Sequence, residues 1–84
     1  MELPIVNRLS GTHPPDLLKD YTNAHMVVQR ALDVLGGVWP HGRDYQGGSI
    51  RNAMHEHAER CKHLKQVLIE LDIICQSIIN QQEL

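Results

Sequence analysis

Residues 49–84 read SIRNAMHEHAERCKHLKQVLIELDIICQSIINQQEL and contain neither glycine nor proline. One set of residues recurs at alternating intervals of four and three: Ile50, Met54, His57, Cys61, Leu64, Leu68, Leu71, Cys75 and Ile78. This heptad spacing predicts a helical face that packs on a neighbouring helix. Ser49 is a suitable N-cap because its hydroxyl can accept from the first free backbone N–H groups. We therefore predict one helix over about 49–80, ~45 Å long.

A second, shorter helix is predicted before it, over about 14–35. Its seam also keeps heptad spacing, through Leu17, Tyr21, Ala24, Val28, Ala31 and Leu35. Pro14 and Pro15 suit a first turn, where the missing N–H is not needed. Gly36 and Gly37 predict the stop, because glycine accepts a left-handed C-terminal conformation.

Residues 36–48 hold five glycines and a proline and predict a loop. Two helices that each have an apolar seam and are joined by a loop fold back antiparallel. Pairing their seam residues in order from the loop would place Leu35 opposite Ile50 and Leu17 opposite Leu68. In that register the C-terminal part of the second helix extends past the first helix. The predicted fold is all-α: one domain over 1–84, a two-helix antiparallel hairpin with a coiled-coil-like seam, and an irregular or short-helical N-terminal segment.

Composition excludes several classes of protein. The formal charge of −2 is too balanced for a protein that binds nucleic acid or a membrane surface, and no apolar run approaches the roughly 18 residues of a membrane span. Cys61 and Cys75 are ~21 Å apart along one helix, too far for a disulfide. Reduced cysteines fit a cytoplasmic location.

Self-association is expected, because the C-terminal part of the second helix is apolar around much of its circumference. Leaving several Leu or Ile side chains in water would be costly, at ~1.5–3 kcal/mol each. The N-terminal segment is one cover, and the same helix of another subunit is the other. We favour a homodimer or higher oligomer, with an interface formed by Val67, Leu71, Ile74, Cys75 and Ile78.

A metal site is a weaker hypothesis. His57 and Cys61 are spaced i, i+4, which suits two ligands on one helix, and His25 of the first helix is a candidate third. The preferred interpretation is a core histidine beside an inert cysteine, with no metal or cofactor. No nucleophile motif or carboxylate pair indicates an enzyme.

The loop concentrates binding chemistry in a short stretch. Trp39, His41, Arg43, Asp44 and Tyr45 bring together the side-chain types that dominate interaction hot spots or grip phosphates. Arg43 is the strongest candidate, since its fork can bind a carboxylate or phosphate at two points. The structural alternative is that Trp39 closes the hairpin end and Arg43 pairs with Asp44.

The run His41-Gly42-Arg43-Asp44-Tyr45, with the later residues Glu56, His57, Arg60, Leu64, Val67, Glu70, Leu71 and Ile74, resembles small uncharacterised helical proteins of phages and prophages. Gln46 stands where that pattern often has a second aromatic. The resemblance implies an accessory protein in a bacterial cytoplasm.

Three functions follow as hypotheses. The preferred one is a non-enzymatic oligomeric protein that binds or blocks a host protein through the loop and the C-terminal helix. The first alternative is a counter-defence protein that sequesters an anionic ligand, such as a nucleotide signal, through the loop and the subunit interface. The second alternative is a small structural metal protein.

Overall fold

A computed structural model of the chain describes residues 1–7 and 9–82; residues 8, 83 and 84 lie outside the described part. Within the described residues there are two long helices, α1 (Pro14–Gly36) and α2 (Ile50–Gln82), a 3₁₀ turn (Gly42–Asp44), and no strand. α1 and α2 pack against each other. The prediction of an all-helical fold with two packed helices is confirmed.

The helix ends follow from local hydrogen bonding. The Ser49 hydroxyl accepts from the backbone N–H of Asn52 at 3.1 Å, so the predicted cap of α2 is present. α1 begins with two prolines and has no side-chain cap. The glycine stop forms in an unexpected way: Gly37 has φ −84° and ψ −3°, and its N–H donates to the Val34 carbonyl at 3.2 Å. The chain therefore leaves α1 without a left-handed residue at Gly37.

The buried face of α1 is rotated from the predicted seam. Its half-buried and buried positions are Pro14, Leu17, Leu18, Tyr21, His25, Val28, Leu32, Leu35 and Gly36. Ala24 and Ala31, which were predicted to lie in the seam, are exposed. The larger Leu32 and His25 side chains turn inward instead, because they bury more area than an alanine methyl group. In α2 the seam is correct except that Ala53 is buried where Met54 was expected.

The predicted register of the hairpin is wrong. Pairing Leu17 with Leu68 would put Thr22 opposite His63, but Thr22 Oγ1 lies 4.0 Å from Cys75 Sγ. α2 is thus displaced by about twelve residues, or ~18 Å. The side chain of Gln82 lines a groove with His13, Pro14 and Pro15. The start of α1 is therefore level with the end of α2, and the part of α2 that extends past α1 is its N-terminal part.

The N-terminal segment is fastened to the end of α2. The Val6 N–H donates to Gln81 Oε1 at 2.7 Å, and Gln81 Nε2 donates to the Pro4 carbonyl at 3.0 Å and to Ser77 Oγ at 3.2 Å. We call these hydrogen bonds of Gln81 to Val6 and Pro4 the clamp. Ile78, one helical turn before Gln81, has no exposed surface. The end of α2 that was predicted to need another subunit is thus partly covered by α1 and by residues 4–6, while Val67, Ile69 and Ile73 stay exposed.

The molecule is a thin rod with little interior. Its dimensions are 59 × 20 × 18 Å and its radius of gyration is 18.1 Å, against about 12 Å for a compact chain of this length. Among the described residues only three hydrophobic side chains are buried, those of Ala53, Leu68 and Ile78. No helix in the described residues combines the length and apolarity needed to cross a membrane.

Candidate binding surfaces

A hydrogen-bonded turn shapes the loop between the helices. His41 Nδ1 accepts from the Arg43 N–H at 3.2 Å, and the His41 carbonyl accepts from the Asp44 N–H at 2.9 Å. The Tyr45 N–H donates to the Gly42 carbonyl at 3.1 Å. His41 therefore caps the 3₁₀ turn, and its Nδ1 is engaged in holding the backbone that carries Arg43.

Arg43 and Asp44 project into solvent. Both residues are exposed, and the ion pair between them that the structural alternative requires is not formed. Within residues 1–7 and 9–82 the only ion pair joins Arg60 to Glu56, at 3.6 Å. The Arg43 guanidinium therefore has no carboxylate partner among the described residues.

Trp39 packs on the part of α2 that extends past α1. Its ring centroid lies 4.7 Å from that of His57, with the planes inclined by 58°. His57 Nε2 is in turn 3.7 Å from Cys61 Sγ, and His57 is buried. Trp39 nevertheless keeps 55% of its surface exposed, and Tyr45 is also exposed. Trp39 therefore covers the end of the hairpin and still offers a large part of its indole to a partner.

The candidate metal ligands are not brought together. His25 lies about one helical turn from Thr22, whereas His57 is five turns before Cys75, the residue that Thr22 contacts. The two histidines are thus on the order of 20 Å apart. In the described part of the chain no group of three or more His, Cys, Asp or Glu residues is placed to hold a metal. His57 and Cys61 supply two donors.

The residues predicted to form the subunit interface divide into two groups. Ile78 is completely buried and Cys75 faces Thr22, so both belong to the intramolecular core. Leu71 and Ile74 are half-buried, and Val67 is exposed. Cys75 is half-buried as well, so only Ile78 lacks surface for a second chain and is removed from the candidate interface.

An exposed apolar stripe on α1 was missed by the sequence analysis. Ala24, Val27, Ala31 and Val34 are all exposed and recur at intervals of three, four and three. This spacing puts them on one side of the helix. The pattern was visible in the sequence, but the neighbouring seam, which shares Ala24 and Ala31 with it, obscured it.

The α1 stripe and the exposed part of the predicted interface lie on the same side of the hairpin. Seen along α1 from its N-terminus, the stripe lies to one hand of the buried face. Seen along α2 from its own N-terminus, Val67 and Ile74 lie to the same hand of the buried face. Because the two helices run antiparallel and face each other, the same hand on both corresponds to one side of the hairpin. We call Ala24, Val27, Ala31, Val34, Val67 and Ile74 the hairpin face.

A second apolar area lies on the outer side of α2. Leu3, Ile69 and Ile73 are exposed there. Leu3 and Ile73 also line a shallow groove whose other walls are polar, formed by Asp72, Gln76, Ser77, Asn80 and Gln81. We call Leu3, Ile69 and Ile73 the outer patch; an apolar strip with a polar rim is typical of a protein contact surface.

Comparison with known proteins adds no assignment: no family model, curated protein or solved structure matches the chain.

Proposed function

We propose that the chain is a non-enzymatic binding protein that associates with itself and binds a second protein through the loop and the outer patch. The observation that carries this proposal is the amount of apolar surface left in water. Among residues 1–7 and 9–82, fourteen large hydrophobic side chains are exposed, from Met1 to Ile73, while three hydrophobic residues are buried. A chain that acted alone would leave these fourteen side chains in contact with water.

Surface area supports the same proposal. The chain exposes 6450 Å², whereas a compact monomer of 9.6 kDa exposes about 5,100 Å². Contiguous exposed apolar patches mark interaction sites or aggregation hazards in other proteins. Partner chains on the hairpin face and the outer patch would cover the apolar side chains that lie there.

The loop suits a protein partner. It presents Trp39, Arg43 and Tyr45 in an exposed turn whose backbone is held by His41. These three residue types are enriched where binding energy concentrates in interfaces. A bacterial host protein is the partner class that the likeness to phage proteins implies.

An anionic small ligand is the second candidate. It is favoured by one observation: Arg43 has no carboxylate partner among the described residues. A nucleotide phosphate could accept from the guanidinium while an aromatic ring of the loop stacks on the base.

Affinity capture tests both candidates. Wild-type chain, Arg43→Ala and Arg51→Ala are each used to capture from a bacterial lysate, and proteins and small molecules are identified after denaturation. Arg51 is an exposed arginine outside the loop and serves as the control. We expect one protein to be captured by wild type and Arg51→Ala, and ~10- to 100-fold less by Arg43→Ala, as for loss of a charge-assisted hydrogen bond. Equal capture by all three would contradict a role for the loop; a nucleotide in place of a protein would favour the second candidate.

A further inference from the structure

We infer that the occupant of the hairpin face is a second copy of this chain, placed so that each α1 runs antiparallel to the other α1 across a twofold axis. The inference rests on the self-association proposed above and specifies its geometry. The interface is thereby formed by both α1 and α2, whereas the predicted interface residues all lie in α2. The outer patch and the loop stay free for a different protein.

The two halves of the hairpin face share a centre. The contact between Thr22 and Cys75 fixes the levels of the two helices. Counting eight residues along each helix from that contact, a rise of ~12 Å, reaches Arg30 in α1 and Val67 in α2. Val67 is therefore level with the middle of the α1 stripe, which extends from Ala24 to Val34. One twofold axis, perpendicular to the helices, can therefore pass through the middle of the α1 stripe and through Val67.

The α1 stripe is complementary to itself in that arrangement. An antiparallel copy centred between Val27 and Ala31 places Ala24 opposite Val34 of the second copy. It also places Val27 opposite Ala31 of the second copy. Every alanine thus meets a valine, so small and large side chains alternate across the contact, which is how closely spaced helices fill the space between them.

The α2 half has matching apolar and polar pairs. A residue on a twofold axis meets its own copy, so Val67 packs on Val67 of the second copy. His63 and Glu70 lie on the same side of α2, four residues before Val67 and three after it. In the antiparallel pair, His63 of one copy is therefore level with Glu70 of the other copy to within about one residue. This pairing of an imidazole with a carboxylate favours the antiparallel orientation of the two α2 helices over the parallel one.

The area is sufficient for a stable dimer. The chain carries about 1,300 Å² more surface than a compact monomer of its mass, and a standard interface covers about 800 Å² of each partner. The excess is therefore larger than the area that one such interface takes from each partner. A second copy therefore accounts for the exposed stripe on α1, which no segment within the described residues covers.

Charge substitutions test the pairing. Val27→Glu and Ala31→Lys should each raise the dimer dissociation constant by about a hundredfold or more, because each buries a charge against an apolar side chain. The double variant should restore dimers, since the carboxylate introduced in one copy would face the ammonium group introduced in the other. The matched control is Met26→Glu: Met26 is 60% exposed and Val27 63%, but Met26 points to another side of α1. Mass from light scattering across a dilution series gives the readout.

Crosslinking gives a second test that does not depend on a charged variant folding. In a Cys61→Ala/Cys75→Ala chain, Val67→Cys should oxidise to a disulfide-linked dimer, because the axis brings the two thiols together. Ile69→Cys is the control; Ile69 is the more exposed residue, at 54% against 39% for Val67. Faster dimer formation by Ile69→Cys, a monomeric wild-type chain, or equal effects of Met26→Glu and Val27→Glu would overturn the inference. Because Arg43 lies outside the hairpin face, a wild-type chain that is monomeric but still captures a protein would overturn this inference alone, and a wild-type chain that dimerises but captures none would overturn partner binding alone.

Discussion

Trp39 lies with its indole against the imidazole of His57, and the ring centroids are 4.7 Å apart. The contact joins the loop to the part of α2 that α1 does not reach. Trp39 thus covers the imidazole of His57, which is buried and whose Nε2 lies 3.7 Å from Cys61 Sγ.

Replacing Trp39 should therefore lower stability. Trp39→Ala removes the buried half of an indole, a loss of about 2 kcal/mol in the free energy of unfolding. Trp39→Phe keeps a ring against His57 and should lose about half as much. Urea unfolding followed by circular dichroism measures both, because Trp39 is the only tryptophan and cannot serve as a fluorescent probe in its own variants. Unchanged midpoints in both variants would show that the indole covers nothing of energetic value.

Ile78 and Ile73 differ in burial, and truncating them should therefore cost different amounts of stability. Ile78 has no exposed surface, so Ile78→Ala should cost about 2–5 kcal/mol by leaving a cavity. Ile73 is 44% exposed, and Ile73→Ala should cost much less. Thermal unfolding of the two variants gives the comparison. Similar losses would contradict the assignment of Ile78 to the intramolecular core.

Gln81 should control the attachment of the N-terminal segment. Gln81→Ala removes the acceptor of the Val6 N–H and the donor to the Pro4 carbonyl. The Val6 amide should then exchange with solvent faster, by about tenfold for a lost hydrogen bond of ~1–1.5 kcal/mol. Gln76→Ala is the control, because the Gln76 side chain donates to Asn80 on its own helix. Hydrogen exchange read at Val6 by NMR decides between them.

Chelation should leave the protein intact. His57 and Cys61 provide two donors, and no third His, Cys, Asp or Glu joins them in the described residues. We expect the thermal midpoint to be the same with and without a strong chelator. A fall of many degrees, with zinc released in proportion to chain or dimer, would show that metal binding is part of the folding free energy.

The sequence was sufficient for the two helices and the cap at Ser49, because these depend on local periodicity and on a single hydroxyl. It did not determine which side of α1 turns inward. Leu17, Tyr21, Val28 and Leu35 fit either seam, and the choice between Ala31 and Leu32 depends on the area each buries against α2. The spacing of apolar residues along the sequence does not show how much area Ala31 or Leu32 would bury against α2.

The register was beyond reach for a different reason. A loop as long as 36–48 permits several alignments, and pairing the seam residues in order from the loop was only the simplest. The contacts that select the observed one, between Trp39 and His57 and between residues 4–6 and Gln81, come from segments without periodicity. The loop candidates Trp39, Arg43 and Tyr45 could be identified from residue type alone, whereas the role of His41 as the cap of the turn required coordinates.

The clamp at Gln81 also has a kinetic consequence. Its bond to Val6 joins residues 75 positions apart, so the chain must close a loop of nearly its full length before the bond stabilises anything. Contacts within each helix and across the hairpin need less closure and should form earlier. A substitution at Gln81 should then leave the folding rate nearly unchanged and appear mainly as faster unfolding, the behaviour of a contact made after the transition state.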